Sequence, residues 1–254
     1  MTAAYNSLKL EALDRIAAGE HLRIMALGDS TVEHFMVGAH WSDYVNIGLM
    51  NNFRRWSEDR LSVDNPATFL NAGISNSTSA DLLARLSRDA EPFRPDLLIL
   101  MCGFNDANPR RGISPKRFGE NLRALHEKVA GWGGEVLFNT PYACDREKFA
   151  EEAPEWAEAI PAYIDVIREY ADGVLIDHFA RWETLRLRDI GALRMLLVDS
   201  LHLNPAGNAV IGLEILDRMG LVLPEKNTPW IREGIFAWKY MNAIQQDRKE
   251  KENG

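Results

Sequence analysis

Four short motifs in the sequence carry side chains that together can perform nucleophilic acyl transfer. In chain order they are Gly28-Asp29-Ser30, Asn71-Ala72-Gly73, Gly103-Phe104-Asn105-Asp106 and Asp199-Ser200-Leu201-His202. Each motif alone is short enough to occur by chance. Taken in this order they supply a nucleophile, a base with an acid to orient it, and three candidate donors for an oxyanion. They therefore predict one hydrolase active site.

Ser30 is the candidate nucleophile. A serine hydroxyl attacks a carbonyl poorly until a neighbouring base takes its proton. His202 is the natural base because an imidazole accepts and returns a proton near neutral pH. Asp199, three residues earlier, can orient the ring through the nitrogen that faces away from the serine. The alternatives are an N-cap role for Ser30 and an ordinary loop before the helix capped by Asn204.

Acyl transfer also needs donors for the negative charge that develops on the carbonyl oxygen. Each donor typically contributes about 100- to 1,000-fold in rate. The candidates are the backbone N–H groups of Ser30 and Gly73 and the side-chain amide of Asn105. We expect Gly28 to let the chain turn sharply after its strand, and Gly73 to aim its N–H into the site. The alternatives are a strand-end turn at Gly73 and a turn or cap at Asn105-Asp106.

Several further residues are candidates for supporting the site or lining its pocket. The supporting set is Asp29, His34, Trp41 and Asp106. His40 is a second candidate for the pocket wall, and Asp177 is interpreted as structural. Five tryptophans are candidates for a sugar-stacking platform, although tryptophan is more often a core or interface residue: Trp41, Trp132, Trp182, Trp230 and Trp238.

Composition limits the classes of partner and location. The net charge of −8 argues against a nucleic-acid partner, which normally requires a basic face. No signal-peptide-like stretch stands at the N-terminus and no apolar run is long enough to cross a bilayer, so we expect a cytoplasmic protein without a membrane partner. Two cysteines, Cys102 and Cys144, do not make a disulfide framework. The chemistry requires no cofactor or metal, and a homo-oligomer remains open.

Apolar runs of strand length alternate with segments of helical period. The predicted strands are 21–27, 67–71, 96–102, 135–140 and 173–177, and the predicted helices are 42–56, 79–90, 115–132, 155–170 and 205–219. The strand runs are almost continuously apolar, as in parallel strands buried on both faces. Active sites in such sheets lie at the carboxyl ends of the strands, where Ser30, Gly73 and Asn105 fall. Ser114 and Asn204 are the expected N-caps of the third and fifth helices.

One domain over residues 1–254 is the expected organisation, with its core at about 20–220. A helical extension is predicted over 229–247, followed by a charged tail over 245–254 that we expect to be frayed. The extension is expected to pack on its own domain. The alternatives are docking on a partner subunit and covering the pocket.

The four motifs resemble those of the SGNH hydrolases, also called the GDSL family. Ser30 matches the nucleophile, Gly73 and Asn105 match the second and third blocks, and Asp199 with His202 matches the Asp-x-x-His block. The resemblance implies a three-layer α/β/α, flavodoxin-like fold with a five-stranded parallel sheet. Thr31 and Leu203 depart from the leucine and proline common in the family, at positions that do not carry the chemistry.

The resemblance implies ester hydrolysis through an acyl-serine intermediate without a metal. We expect the substrate to be a small-molecule ester with a small acyl group, such as O-acetyl, with a carbohydrate as a candidate for the alcohol half. One alternative is a thioesterase or lysophospholipase with a longer apolar trench, to which residues 195–198 would contribute. Another is a sugar-binding module of the same fold that has no turnover.

Overall fold

A five-stranded parallel sheet forms the centre of the fold. The computed structural model describes residues 5–35, 38–56, 63–171, 174–223 and 229–252 of the 254-residue chain. The strands are β1 (Leu22–Gly28), β2 (Arg55–Trp56), β3 (Val63–Asp64), β4 (Ala67–Gly73), β5 (Leu97–Met101), β6 (Glu135–Asn139) and β7 (Leu175–Ile176). The parallel sheet has the order β4-β1-β5-β6-β7, and β2 pairs with β3 in a separate antiparallel sheet.

Helices connect the strands and cover both faces of the parallel sheet. Within the described residues the α-helices are α1 (Glu11–Ala18), α2 (Trp41–Phe53), α3 (Ser79–Asp89), α4 (Pro115–Gly131), α5 (Arg146–Glu152), α6 (Pro154–Tyr170), α7 (His178–Arg188), α8 (Ile190–Arg194), α9 (Pro205–Arg218) and α10 (Pro229–Glu252). The strand order and the layers confirm the predicted three-layer α/β/α, flavodoxin-like fold class.

The register of the sheet brings the ends of its strands level. Gly28 at the end of β1 pairs with Gly73 of β4 on one side and with Met101 of β5 on the other. Met101 pairs in turn with Asn139 of β6. The segments that leave these four strands therefore start side by side at one edge, which is where ligands bind in open α/β sheets.

Burial explains why the central strand β5 is so apolar. Every residue of β5 is buried, as expected for a central parallel strand that has helices on both faces. Helix α9 is likewise buried on all sides from Ala206 to Leu216, because it packs between α2 and α10. Its N-terminus is capped by Asn204, whose side chain accepts from the N–H groups of Ala206 and Gly207. Ser114 caps α4 by accepting from the N–H of Arg117, so both expected caps are confirmed.

The predicted strands and connecting helices are all present, with ends shifted by a few residues. The last predicted strand is reduced to Leu175–Ile176, and its first predicted residue, Gly173, lies outside the described residues. Prediction from the sequence missed the β2–β3 pair and the helices α1, α5, α7 and α8. These elements are short, or their apolar side chains do not recur at a clear helix or strand period. Their secondary structure therefore depends on tertiary packing, which the sequence pattern does not record.

The C-terminal helix α10 packs against α9 and α7 of the same chain. Trp238, Met241 and Ile244 are buried in this contact. Arg181 on α7 ties the helix down by donating to the carbonyl of Trp238 and to the side chain of Asn242. The bonding therefore agrees with the expectation that the extension packs on its own domain.

The charged tail continues the same helix through Glu252, and residues 253–254 lie outside the described residues. The segment expected to fray from residue 245 is thus helical through Glu252, and its fraying stays a prediction. None of the helices in the described ranges is long and apolar enough to span a membrane.

Candidate active site

Ser30 lies in a tight turn directly after β1. The carbonyl of Asp29 accepts from the N–H groups of Val32 and Glu33, at 3.0 and 2.9 Å, which folds the chain back on itself. The Asp29 side chain adds to the turn, because its Oδ1 accepts from both the N–H and the hydroxyl of Thr31, at 2.9 and 2.8 Å. A leucine at position 31 would lack the second of these bonds, so the departure from the family pattern strengthens the turn in this chain.

Two glycines let this turn approach its neighbours closely. A Cβ on Gly28 would lie 2.1 Å from the carbonyl oxygen of Met101, and one on Gly73 would lie 2.2 Å from the backbone nitrogen of Glu33. Neither glycine has a positive φ. The sharp turn expected after Gly28 is present without a left-handed backbone, and the Gly73 N–H points to the side chain of Asn71. Glycine is required because a side chain at position 28 would collide with the backbone of β5, and one at position 73 would collide with the backbone of the segment that follows Ser30.

The structure brings Ser30, His202 and Asp199 into one chain of hydrogen bonds. Ser30 Oγ lies 3.0 Å from His202 Nε2, and His202 Nδ1 lies 2.8 Å from Asp199 Oδ2. The carboxylate favours the tautomer with its proton on Nδ1, which leaves Nε2 to accept the serine proton. This is the arrangement of a nucleophile, a base and an orienting acid.

The carboxylate of Asp199 is fixed by its own loop. Its Oδ1 accepts from the N–H groups of Leu201 and His202, at 2.7 and 2.6 Å. Burial raises the pKa of Asp199, but these bonds and the contact with the His202 ring outweigh it, so the pKa lies below its ordinary value. The group is therefore ionised throughout the neutral range.

The loop that carries His202 is anchored at both ends. Leu197 and Leu203 form an isolated antiparallel bridge across it, and the carbonyl of Ser200 accepts from the N–H of Asp145 after β6. The Phe35 ring packs edge-on against the His202 ring, with 5.6 Å between centroids. These contacts hold the imidazole over Ser30.

The three candidate oxyanion donors differ in what they already bind. The Ser30 N–H donates to no other residue in the described part of the chain. The Gly73 N–H donates to the side chain of Asn71 at 2.9 Å. The Asn105 amide donates to Asp29 Oδ2 at 3.2 Å and to the Ser77 carbonyl at 3.1 Å. To bind an oxyanion, the Ser30 N–H would only need to be aligned with it. The Gly73 N–H and the Asn105 amide would each have to share or give up a hydrogen bond that they now make.

Two carboxylates, those of Asp29 and Asp106, are fully buried beneath Ser30 and Asn105. Burial raises the pKa of both, although the bonds from Thr31 and Asn105 oppose this at Asp29. For Asp106, burial raises the pKa to about 6, with the charge of Asp29 adding to it and the hydrogen bonds from Ser79 opposing it. Asp106 binds both the N–H and the hydroxyl of Ser79, so it fixes the start of α3 against the Asn105 turn.

A small cavity opens beside Ser30. His34, as predicted, lines it, together with His40, Tyr142 and Leu203. His40 also caps α2, and burial lowers its pKa to about 3, so it is neutral at physiological pH. Tyr142 was missed by sequence reasoning, although it follows β6 just as the predicted site residues follow their strands.

Trp41 does not line the cavity, because it is fully buried. It supports the turn instead, since its indole N–H donates to the carbonyl of Thr31 at 2.8 Å.

The tryptophans named as a sugar platform are not placed to serve as one. Trp41, Trp182 and Trp238 are buried, and Trp132 bonds to the carbonyl of Pro95, which precedes β5 at the opposite edge of the sheet. The side chain of Trp230 lies outside the described residues. A partly exposed tryptophan that the sequence analysis did not single out, Trp156, lies next to the motif that carries Asn105. Its indole donates to the carbonyl of Phe104 at 2.6 Å.

Metal binding has no support in the described ranges. Among those residues, no group of three or more histidine, cysteine, aspartate or glutamate side chains is arranged to hold a metal ion. Cys102 and Cys144 are both buried free thiols.

Comparison with solved structures gives relatives of the same fold. An acetyl xylan esterase, AlAXEase, shares 22% identity, with a TM-score of 0.62 over 76% of this chain and 98% of that one. The acetylxylan esterase Axe2 from Geobacillus stearothermophilus shares 19%, with a TM-score of 0.63 over 83% of this chain and 100% of that one. A lipase/acylhydrolase from Enterococcus faecalis shares 22%, with a TM-score of 0.59 over 81% and 100%.

Comparison with sequences gives the family. No curated protein sequence matches the chain. The model of the GDSL-like lipase/acylhydrolase family matches residues 26–210, a segment that holds all four motifs. The match covers well over half of the chain and agrees with the fold and the motif order. The chain is therefore a member of the GDSL-like lipase/acylhydrolase family.

Proposed function

We propose that the protein is a serine esterase that hydrolyses small acyl esters, such as O-acetyl groups on a carbohydrate, through an acyl-serine intermediate. The observation that carries the proposal is the hydrogen-bonded chain from Ser30 Oγ through His202 to Asp199. A binding module of the same fold would have no use for a serine hydroxyl aligned with an oriented imidazole.

The first half-reaction transfers the acyl group to the enzyme. Ser30 Oγ attacks the ester carbonyl carbon while His202 Nε2 takes the hydroxyl proton, and the carbonyl π electrons move onto oxygen. The tetrahedral intermediate then collapses, breaking the bond to the alcohol oxygen, which receives the proton from His202. Asp199 stabilises the imidazolium that exists between these two steps.

The second half-reaction regenerates the serine. A water molecule attacks the acyl-serine carbonyl while His202 takes a proton from that water. Collapse of this second intermediate breaks the bond to Ser30 Oγ, and the proton returns to the serine. The products are one carboxylic acid and one alcohol, so no cofactor is consumed.

The oxyanion of each intermediate would be bound first by the Ser30 N–H, which has no other acceptor within the described residues. The Asn105 amide can join by sharing the hydrogen that it now donates to Asp29 Oδ2 or to Ser77. The Gly73 N–H can join by leaving the Asn71 side chain. Donors aimed at the developing charge are worth more in a site that excludes water than in bulk solvent.

The size of the cavity favours a small acyl group. The partly open cleft beside Ser30 has room within its walls for about one water-sized group, comparable to the methyl of an acetyl ester. A long acyl chain would have to leave this space or displace its walls. The acetylxylan esterases among the similar structures make acetylated xylo-oligosaccharides the first natural type of ester to test.

A second candidate is a hydrolase for longer acyl chains, such as a thioesterase or lysophospholipase. The observation in its favour is a set of exposed apolar side chains on the loops that carry the site: Phe35 beside His202, Ile74 after Gly73, and Val198 before Asp199. A chain that extended out of the cavity would contact these side chains.

The test is a p-nitrophenyl ester series from acetate to palmitate. Wild type is compared with Ser30→Ala and with Ser87→Ala, which changes an exposed serine on α3. We expect the highest kcat/KM on the acetate ester. Ser30→Ala should lose turnover, and Ser87→Ala should keep the turnover of wild type. Activity that rises with chain length would move the assignment to the second candidate. Turnover retained in Ser30→Ala would overturn the acyl-serine mechanism.

A further inference from the structure

A surface groove lies next to the motif that carries Asn105. One of its walls is the 3₁₀ turn Pro109–Arg111, and the other is formed by residues 152–156, where α5 ends and α6 begins. The partly exposed ring of Trp156 lies in this groove, and its indole N–H is fixed by the 2.6 Å bond to the carbonyl of Phe104. The ring is therefore held rigidly at a solvent-accessible position.

Contacts between neighbouring residues link the groove to the residues of the candidate site. The N–H of Asn108, on the groove wall, donates to the carbonyl of Asn105 at 3.2 Å, so one turn of chain separates the wall from the candidate oxyanion donor. The ring of Phe104 packs edge-on against that of Tyr142, with 5.6 Å between centroids, and Tyr142 lines the cavity beside Ser30. A continuous series of contacts thus joins the groove to the cavity.

The rim of the groove carries polar groups that have no protein partner. The side chains of Arg110, Glu152 and Glu155 are exposed, and none forms an ion pair or hydrogen bond with another residue in the described ranges. The Asn108 side chain uses only its oxygen, which accepts from the N–H of Arg110 at 3.0 Å. The groove therefore offers an aromatic ring together with a free guanidinium group, carboxylates and amide hydrogens.

This combination matches the chemistry of a sugar chain. The apolar face of a pyranose packs against an indole ring, while its hydroxyl groups donate to carboxylates and accept from guanidinium and amide groups. An apolar alcohol would instead desolvate these charges without pairing them, which is unfavourable. p-Nitrophenol lacks the further sugar units that would pack against Trp156, so p-nitrophenyl acetate serves as the reference substrate.

We propose that this groove binds the carbohydrate half of the substrate, with Trp156 packed against a sugar ring and with Arg110 and Glu155 bonded to its hydroxyl groups. The inference rests on the proposed esterase function and adds the site for the alcohol half, which would be an oligosaccharide that extends beyond the esterified sugar. The acyl group enters the cavity beside Ser30 while the sugar chain lies along the 3₁₀ turn.

A second groove supplies a matched control. It lies between α4 and α6 and has a similar set of groups, Tyr170, Arg123 and Glu169. There the guanidinium of Arg123 already lies over the Tyr170 ring, 5.9 Å from its centroid. One side of the Tyr170 ring is therefore occupied by a cation of the protein itself, whereas the contact given for the Trp156 ring is the edge-type packing against Phe149, with 5.1 Å between centroids.

The test compares two substrates, an acetylated xylo-oligosaccharide and p-nitrophenyl acetate. In Arg110→Ala/Glu155→Gln, we expect the ratio of kcat/KM for the oligosaccharide ester to that for p-nitrophenyl acetate to fall roughly tenfold, mainly through KM. Arg123→Ala/Glu169→Gln should leave this ratio as in wild type. An unchanged ratio in the groove variant, or an equal fall in the control, would overturn the proposal.

Binding is measured separately in Ser30→Ala, which cannot turn the substrate over. Addition of the oligosaccharide ester should change the tryptophan fluorescence, and Trp156→Phe in the same background should lose most of that change. No fluorescence change in Ser30→Ala, or the same change in both proteins, would count against the groove.

Failure of the two proposals is distinguishable. If wild type hydrolyses p-nitrophenyl acetate in a Ser30-dependent way but the groove variant has an unchanged substrate ratio, only the groove assignment fails. If folded wild type hydrolyses neither ester, the proposed function fails and the groove assignment falls with it.

Discussion

Asp29 and Asn105 are joined by a hydrogen bond next to the proposed nucleophile Ser30, with Asn105 Nδ2 lying 3.2 Å from Asp29 Oδ2. The two residues lie at the ends of adjacent strands, and both side chains are buried. Asp29 also binds the N–H and hydroxyl of Thr31. One carboxylate therefore holds both the turn that presents Ser30 and the amide proposed to receive the oxyanion.

Replacing Asp29 by Asn should disturb both of these groups. The new amide can accept from Thr31 but would face the Asn105 amide with its own N–H group, and a buried donor left unpaired costs about 1–3 kcal/mol. We expect kcat on p-nitrophenyl acetate to fall about 10- to 100-fold, on the scale of that loss. Asp14→Asn, an exposed change on α1, is the control. Wild-type kcat in a folded Asp29→Asn protein would contradict the positioning role.

The orienting role of Asp199 predicts a larger kinetic effect. In Asp199→Asn the side chain can no longer fix the Nδ1–H tautomer or stabilise the imidazolium, so kcat should fall by about 10³- to 10⁴-fold. Steady-state kinetics with an acetate ester measure this, and Asp165→Asn on the exposed side of α6 is the comparison. A loss of only a few fold would show that another group orients His202.

The buried carboxyl of Asp106 should make stability depend on pH. Its pKa is raised to about 6 in the folded protein, against about 3.9 in the unfolded chain. The folded state therefore binds the Asp106 proton more tightly than the unfolded chain does. The contribution of this proton to the free energy of unfolding is fully present below about pH 3.9 and is lost as the pH rises through about 6.

The matched variant for this effect is Asp106→Asn, which carries no charge at any pH. The unfolding free energy of the variant relative to wild type should rise between pH 4 and 7 by up to about 3 kcal/mol. Denaturant unfolding of both proteins at several pH values measures the difference. A constant difference across this range would show that Asp106 does not titrate there.

Gly73 should not tolerate even a methyl group. A Cβ at this position lies 2.2 Å from the Glu33 nitrogen and 2.4 Å from the Val32 carbonyl carbon, both of them backbone atoms of the segment that follows Ser30. We expect Gly73→Ala to lose about 1–3 kcal/mol of stability and to lower kcat by displacing the nucleophile. Gly131→Ala, where nothing lies within 4 Å, should not be destabilising. Equal thermal midpoints and rates for the two variants would contradict this packing argument.

The contact between α10 and the rest of the domain should contribute to stability and not to chemistry. Met241 is buried against α9 and α7, so Met241→Ala should cost about 2–5 kcal/mol of unfolding free energy. Phe236→Ala, on the exposed side of the same helix, should cost little. If activity is lost in Met241→Ala below its unfolding temperature, α10 has a direct role at the site.

The sequence contained most of what was needed to predict the site, because its chemistry is concentrated at strand ends. Ser30 and Asn105 follow apolar runs, and parallel strands deliver such positions to one edge whatever the details of packing. Asp199 and His202 are three residues apart, so their contact is local and visible in the motif. The fold class followed from the same alternation of strands and helices.

What could not be predicted depends on contacts between distant segments. The reason for glycine at positions 28 and 73 is the approach of another backbone, which no local pattern records. Trp41 and Trp156 are chemically identical in the sequence, yet one is enclosed in the core and the other partly exposed beside Asn105. The hydrogen bonds that occupy the Gly73 and Asn105 donors likewise appear only once the strands are aligned.

The bond between Ser30 and His202 closes a loop of 172 residues. Closing so long a loop has a large entropic cost, which is offset only when the strands and helices between the two residues are already packed. A partly folded chain therefore carries an ordinary serine, as inert as any surface hydroxyl. Esterase turnover under the proposed mechanism thus reports on completion of the tertiary structure, and the nascent chain is protected from reacting with esters before it has a pocket to select them.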